Sequence, residues 1–135
     1  MTQGTSLFSD LHCVIYAVFP DKKTAETIAV ELVEEGLAAC ANVFQEHTAI
    51  YMWAGKRERS AEVAVLFKTT HEAVPRLMQE IKSRHPYETP AILSWPIAHC
   101  DPGYAQWISD TVKLKWCAPS ARAKQASARP TPWPR

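Results

Sequence analysis

Residues 11–19 read Leu-His-Cys-Val-Ile-Tyr-Ala-Val-Phe, a run that is apolar on both of its period-2 faces. Only a strand covered on both sides can use such a run, so the fold must supply two covering layers or recruit one. Pro20-Asp21 follows at once. The proline stops the strand, and the Asp21 carboxylate offers an N-cap to a helix. Ala25, Ile28, Ala29, Leu32 and Val33 then recur at i, i+3, i+4, i+7 and i+8, the stripe of an amphipathic helix, and Gly36 supplies a left-handed residue to end it. That helix is the first covering layer.

Two further strand-like runs come next, one over residues 39–44 extending through 48–53, the other over 60–69. Ala54-Gly55-Lys56-Arg57-Glu58 reads as the hairpin connection between them. In the second run Val63, Val65 and Phe67 share one face while Ala64, Leu66 and Lys68 share the other. A strand apolar on both sides is central, or covered by a neighbouring subunit. Val74, Leu77, Met78 and Ile81 predict a second helix with Pro75 confined to its first turn, and His85-Pro86 ends it. Residues 91–97 predict a strand that Pro90 and Pro96 mark as an edge, with Trp95 free to pack on a neighbour. Asp101-Pro102 is an N-cap followed by an N1 proline. The last helix carries Tyr104, Trp107, Ile108 and Val112 on its apolar side, with Tyr104 and Trp107 read as core or interface anchors.

The order is βαββαβ plus a terminal helix: an α+β, ferredoxin-like split βαβ domain with an antiparallel sheet and helices on one face. The opposite sheet face is apolar and nothing in the chain is set aside to cover it. An exposed apolar face of that size implies association, and closed cyclic oligomers are the usual solution.

The chain has 135 residues, room for one core, placed at residues 11–116 between a polar leader (1–10) and a basic, proline-containing tail (117–135) expected to be flexible. Net charge is +1, which argues for neither nucleic acid nor an acidic membrane as partner. No apolar run approaches the roughly 20 residues of a membrane span. Residues 11–19 lack the flanks of a signal peptide, so a cytoplasmic location is expected. Cys13, Cys40, Cys100 and Cys117 are scattered without CxxC spacing, and Cys13 and Cys40 read as reduced, small hydrophobes.

Chemistry-bearing residues are sparse. There is no GxSxG, P-loop or GxGxxG pattern, so an enzyme is not expected. His12, His47, His71, His85 and His99 show no ligand spacing. Lys68 closes an apolar strand and needs a partner, for which Glu88 is a candidate. The pair reads either as a salt bridge pinning the exit of the second helix, or as part of a binding cleft between subunits. In the second case Tyr51, Trp53 and Tyr87 join them, the aromatics walling the cleft and Lys68 supplying charge for a small anion or a metal. His85 reads as a structural or interfacial residue, or as a metal ligand with Glu88.

Several of these residues lie in motifs that occur in one known family. Leu37-Ala38-Ala39-Cys40-Ala41-Asn42, Tyr51-Met52-Trp53-Ala54-Gly55-Lys56, Lys68-Thr69-Thr70, His85-Pro86-Tyr87-Glu88-Thr89-Pro90 and Tyr104-Ala105-Gln106-Trp107 stand in family order. Over about residues 11–115 the chain resembles the divalent-cation tolerance family CutA. The resemblance implies a ferredoxin-like subunit in a homotrimer, related in architecture to PII-type signalling proteins, and a part in tolerance of copper or other divalent cations. In the bacterial pattern a first-strand Cys and one or two His before the Pro-Tyr pair are the proposed copper ligands. Ala17 and Arg84 occupy two of those positions here, and His85 keeps the third. Ala54 and Ala91 stand where the family usually has Glu.

Overall fold

A computed structural model describes residues 11–113, and the leader and tail expected from the sequence lie outside the described residues. The elements run β1 (His12–Phe19), α1 (Lys22–Glu34), β2 (Cys40–Val43), β3 (His47–Trp53), β4 (Lys56–Thr70), a 3-10 turn (His71–Ala73), α2 (Val74–Arg84), β5 (Ile92–Pro96) and α3 (Pro102–Thr111). All strand pairs are antiparallel. The main sheet has the order β2-β4-β1-β5, with β3 pairing the distal part of β4.

The doubly apolar run became central β1, with β4 on one side and β5 on the other. Its odd-numbered residues Ile15, Ala17 and Phe19 join Val63, Val65 and Phe67 of β4. Together they meet Ala25, Ile28, Ala29 and Leu32 of α1 and Leu77 and Ile81 of α2 in one core. Both caps read from the sequence are present: the Asp21 carboxylate accepts from Thr24 N–H at 2.8 Å, and Asp101 accepts from Tyr104 N–H at 3.0 Å. Gly36 ends α1 in the left-handed region (φ 80°), donating to the Val33 carbonyl at 3.0 Å.

Three details differ from the sequence expectation. The first middle strand is two strands, because residues 44–46 face only Val63 and Ala64 between the Val43–Val65 and His47–Glu62 pairs. One extra residue is a bulge, which breaks the ladder and bends the strand away from the sheet. The hairpin connection is shorter than 54–58, since Trp53 already pairs with Lys56. Ala54 and Gly55 alone make the turn, with φ of 51° and 79°, the two positive values that suit the right-handed twist of a hairpin. β4 therefore begins at Lys56 and runs for 15 residues.

The third difference is that the second sheet face is not wholly open. α3 crosses one end of it: His12 Nε2 meets Ser109 Oγ at 2.8 Å, and Cys40 Sγ meets Tyr104 Oη at 3.4 Å. Ile108 and Val112 pack with Ala39 and Ala73 beneath the helix. Tyr104 and Trp107, on the same helix, stay partly exposed and stack on each other with ring centroids 5.5 Å apart. Leu93 and Trp95 of edge strand β5 remain exposed as well.

Candidate functional site

Polar side chains are buried where α2 ends and the chain turns toward β5. Pro86 forces His85 out of the helical region, and its backbone is extended (φ −73°, ψ 137°). The imidazole thereby points inward, 1% exposed, and stacks on Phe19 at 4.7 Å. Its Nε2 lies 2.6 Å from the Val18 carbonyl, and Nδ1 accepts from the Tyr87 N–H at 3.0 Å. These two bonds fix the tautomer: Nε2 carries the proton and Nδ1 is the acceptor. Both ring nitrogens are engaged, so a cation could reach His85 only by displacing one of these partners.

Tyr87 extends the cluster. Its hydroxyl donates to Glu62 Oε2 at 3.3 Å. Glu62 is buried next to the bulge and faces His47 across the β3–β4 ladder. Burial pushes the Glu62 carboxyl above its ordinary value, opposed by the Tyr87 hydroxyl and the nearby His47. The sequence reading missed Glu62, although a charged residue directly before the apolar run 63–67 is a readable signal.

Arg84 works on the helix side of the same turn. Its guanidinium, 6% exposed, reaches Glu35 at 2.7 Å, Glu80 at 2.9 Å and Glu31 at 3.1 Å. Burial alone would lower its proton affinity, but Glu35 and Glu80 outweigh that and hold it above the ordinary arginine value. Glu80 also meets Arg76 at 3.3 Å. This network pins α2 to the C-terminal end of α1, whereas the sequence reading had a Lys68–Glu88 pair pin the exit of the second helix against the sheet.

Lys68 is elsewhere. It pairs with Val14 and Cys40 on the second sheet face, and Nζ sits 5.6 Å from the centroid of the Tyr104 ring, a cation–π contact. The Tyr104 hydroxyl is pushed up by its bond to Cys40 and by burial, and Lys68 pulls it back down. Glu62, which holds Tyr87, is six positions back along β4, about 20 Å in an extended strand. Tyr51 and Trp53 lie farther out, opposite Glu58 and Lys56, so Trp53 is about 40 Å along the strand from Lys68 of its own chain. One chain thus brings His85 to Tyr87 and keeps Tyr51 and Trp53 far from Lys68. Any cleft uniting Lys68 with Tyr51 and Trp53 takes them from different copies. Among the described residues no group of three or more His, Cys, Asp or Glu side chains is gathered for a metal ion.

The sequence model of a family described as "CutA1 divalent ion tolerance protein" matches residues 13–111. The divalent-cation tolerance protein CutA of Escherichia coli O139:H28 is 37% identical over 100 residues, covering 74% of this chain and 89% of that protein. Among solved structures, the divalent cation tolerance protein (Cut A1) from Thermus thermophilus superposes with a TM-score of 0.72 at 38% identity, covering 76% of this chain and 99% of that one. The divalent ion tolerance protein CutA1 from Ehrlichia chaffeensis gives a TM-score of 0.73 at 32% identity, covering 76% and 96%.

Proposed function

The chain belongs to the CutA1 divalent ion tolerance family, and on that premise we propose that it serves divalent-cation tolerance as a homotrimer that engages copper or a similar cation weakly. The observation that carries this reading is the state of His85. The one ligand position that the family resemblance keeps is a buried imidazole with both nitrogens already bonded. A cation there must open the turn at residues 86–87 and surrender hydrogen bonds worth about 1 kcal/mol each, which keeps affinity low. Ala17 and Arg84 supply no compensating thiolate or imidazole. The role is binding, not catalysis. A reducing compartment such as the cytoplasm agrees with Cys13, Cys40 and Cys100 standing as thiols, outside any disulfide among the described residues, and among the described residues no helix is long and apolar enough to cross a membrane.

Calorimetric titration with Cu2+ and Zn2+ tests the reading. Wild type should bind Cu2+ weakly, and His85→Gln should abolish the heat. Tight binding by wild type, or weak binding indifferent to His85→Gln, contradicts it.

A second reading, a PII-like signalling or scaffold protein, is favoured by Lys68, whose ammonium meets an aromatic face instead of a carboxylate. In a trimer Lys68 would charge a cleft walled by Tyr51 and Trp53 of another copy, with Tyr87 and Glu88 at its margin. A thermal-shift screen of small anions should then find a stabilising ligand whose effect Lys68→Ala removes. Persistence of the shift in that variant sinks the cleft.

A further inference from the structure

Val18 of central β1 holds both ends of the segment that covers His85. Its carbonyl lies 2.6 Å from His85 Nε2, and its N–H donates to the Ala91 carbonyl at 3.2 Å. Residues 86–90 therefore form a strap closed at both ends on one residue of a strand that β4 and β5 flank. Within the strap Glu88 and Thr89 are exposed, whereas Tyr87 is buried. Tyr87 covers the imidazole twice. Its N–H donates to Nδ1 at 3.0 Å, and its ring centroid lies 5.0 Å from that of the imidazole.

With Nε2 committed as donor to β1, Nδ1 carries the lone pair that a cation could use, and a neutral imidazole nitrogen is a fitting ligand for Cu2+ or Zn2+. Reaching it requires Tyr87 to move outward as a unit, because the covering N–H and the covering ring belong to one residue. That motion breaks a third contact. The Tyr87 hydroxyl donates to Glu62 Oε2 at 3.3 Å, and Glu62 is buried on β4 beside the bulge. Depriving a buried carboxyl of a donor adds to the cost of opening. At 3.3 Å the bond is long for a hydroxyl donor, so it is a fastening that can yield. We infer that Glu62 is a positioning residue which, by holding the Tyr87 hydroxyl, latches the strap at residues 86–90 shut over His85 Nδ1. The use of this latch rests on the cation reading above, since the latch governs how readily Nδ1 is reached. Its existence needs no cation.

The first test is amide exchange of the metal-free full chain, followed by NMR. Tyr87→Phe keeps the ring and removes the latch, so the amide of residue 87 should exchange about fivefold faster, the equilibrium counterpart of one hydrogen bond. Glu62→Met should have the same effect, and Glu62→Gln, whose carbonyl oxygen can accept from the same hydroxyl, should restore the parent rate. Amides of residues 77–84 in α2 should not change. An unmoved residue 87 in Tyr87→Phe, equal acceleration of α2, or failure of Glu62→Gln to restore the rate overturns the inference. Calorimetric titration with Cu2+ then adds a test of sign. Tyr87→Phe should bind about fivefold more tightly than the parent, and adding His85→Gln should abolish the gain, whereas a residue that merely supports the fold would weaken binding when altered. Copper heat that depends on His85 but is indifferent to Tyr87→Phe sinks the latch and leaves the cation reading standing. Exchange that responds as expected, with no copper heat in either protein, sinks the cation reading and leaves the latch standing.

Discussion

β4 passes through two environments. From Val63 to Thr70 it pairs with β1, over Val65–Lys68 it pairs with β2 as well, and Val63, Val65 and Phe67 are buried under α1 and α2. From Lys56 to Glu62 it pairs with β3 alone, and this ribbon leaves Ile50 and Met52 more than 60% exposed. A two-stranded ribbon is at best marginally stable in water, whereas the proximal half has a full complement of neighbours. The chain completes its core at one end of the strand and leaves the other end as an exposed two-stranded ribbon. The bulge at residues 44–46 is the boundary. Glu62, the first buried residue inside it, is a carboxyl placed where packing begins.

The sharpest test of this contrast is to weaken each half in turn. Phe67→Ala should lower stability by about 3–5 kcal/mol, measurable by urea unfolding. Ile50→Ser/Met52→Ser should instead act through assembly, making the melting temperature depend strongly on protein concentration. Equal, concentration-independent losses would erase the distinction. The helix layer behind the packed half comes next. Arg84→Met removes one of the two counter-charges of buried Glu80, leaving Arg76, and should cost about 2–3 kcal/mol, less than a fully buried pair because Glu31 and Glu35 are partly solvated.

The ribbon tip offers a gain. Ala54 holds φ 51°, a conformation that strains a residue with a β-carbon and suits Asn or Gly. Ala54→Asn should therefore stabilise by about 0.5–1 kcal/mol in thermal unfolding. The smallest effect belongs to the boundary, where Tyr87 and His47 offset part of the burial of Glu62. Because its folded-state pKa lies above the ordinary carboxylate value, the folded protein holds a proton that the unfolded chain has lost. Stability should thus fall as pH rises through the window just above 4.5. Glu62→Gln should flatten that part of the profile, and an unchanged slope would remove Glu62 as its source.

Periodicity made most of the packed half legible. The stripe from Ala25 to Val33, the Asp21 and Asp101 caps and the doubly apolar residues 11–19 all follow from patterns that local geometry enforces. The bulge was not legible, because one extra residue leaves no mark in an apolar run until its partner strand is known. Of the candidate site, the inward turn of His85 could be read from the proline after it. The partners could not: Tyr87 to Glu62 spans 25 positions, and Arg84 to Glu31 spans 53. Lys68, for which Glu88 was the candidate partner, sits over the Tyr104 ring. Its distance from Glu88, and its contact with Tyr104 instead, follow from strand register, which hydrophobic pattern alone does not determine here because both faces are apolar.

The central claim is that a second copy completes what one chain leaves open, and the mass of the full protein in solution measures it directly. Size-exclusion chromatography with light scattering should give three times the chain mass of 15.2 kDa, and that mass should persist on dilution to the micromolar range. A single chain mass, with the ribbon still ordered, would contradict the account.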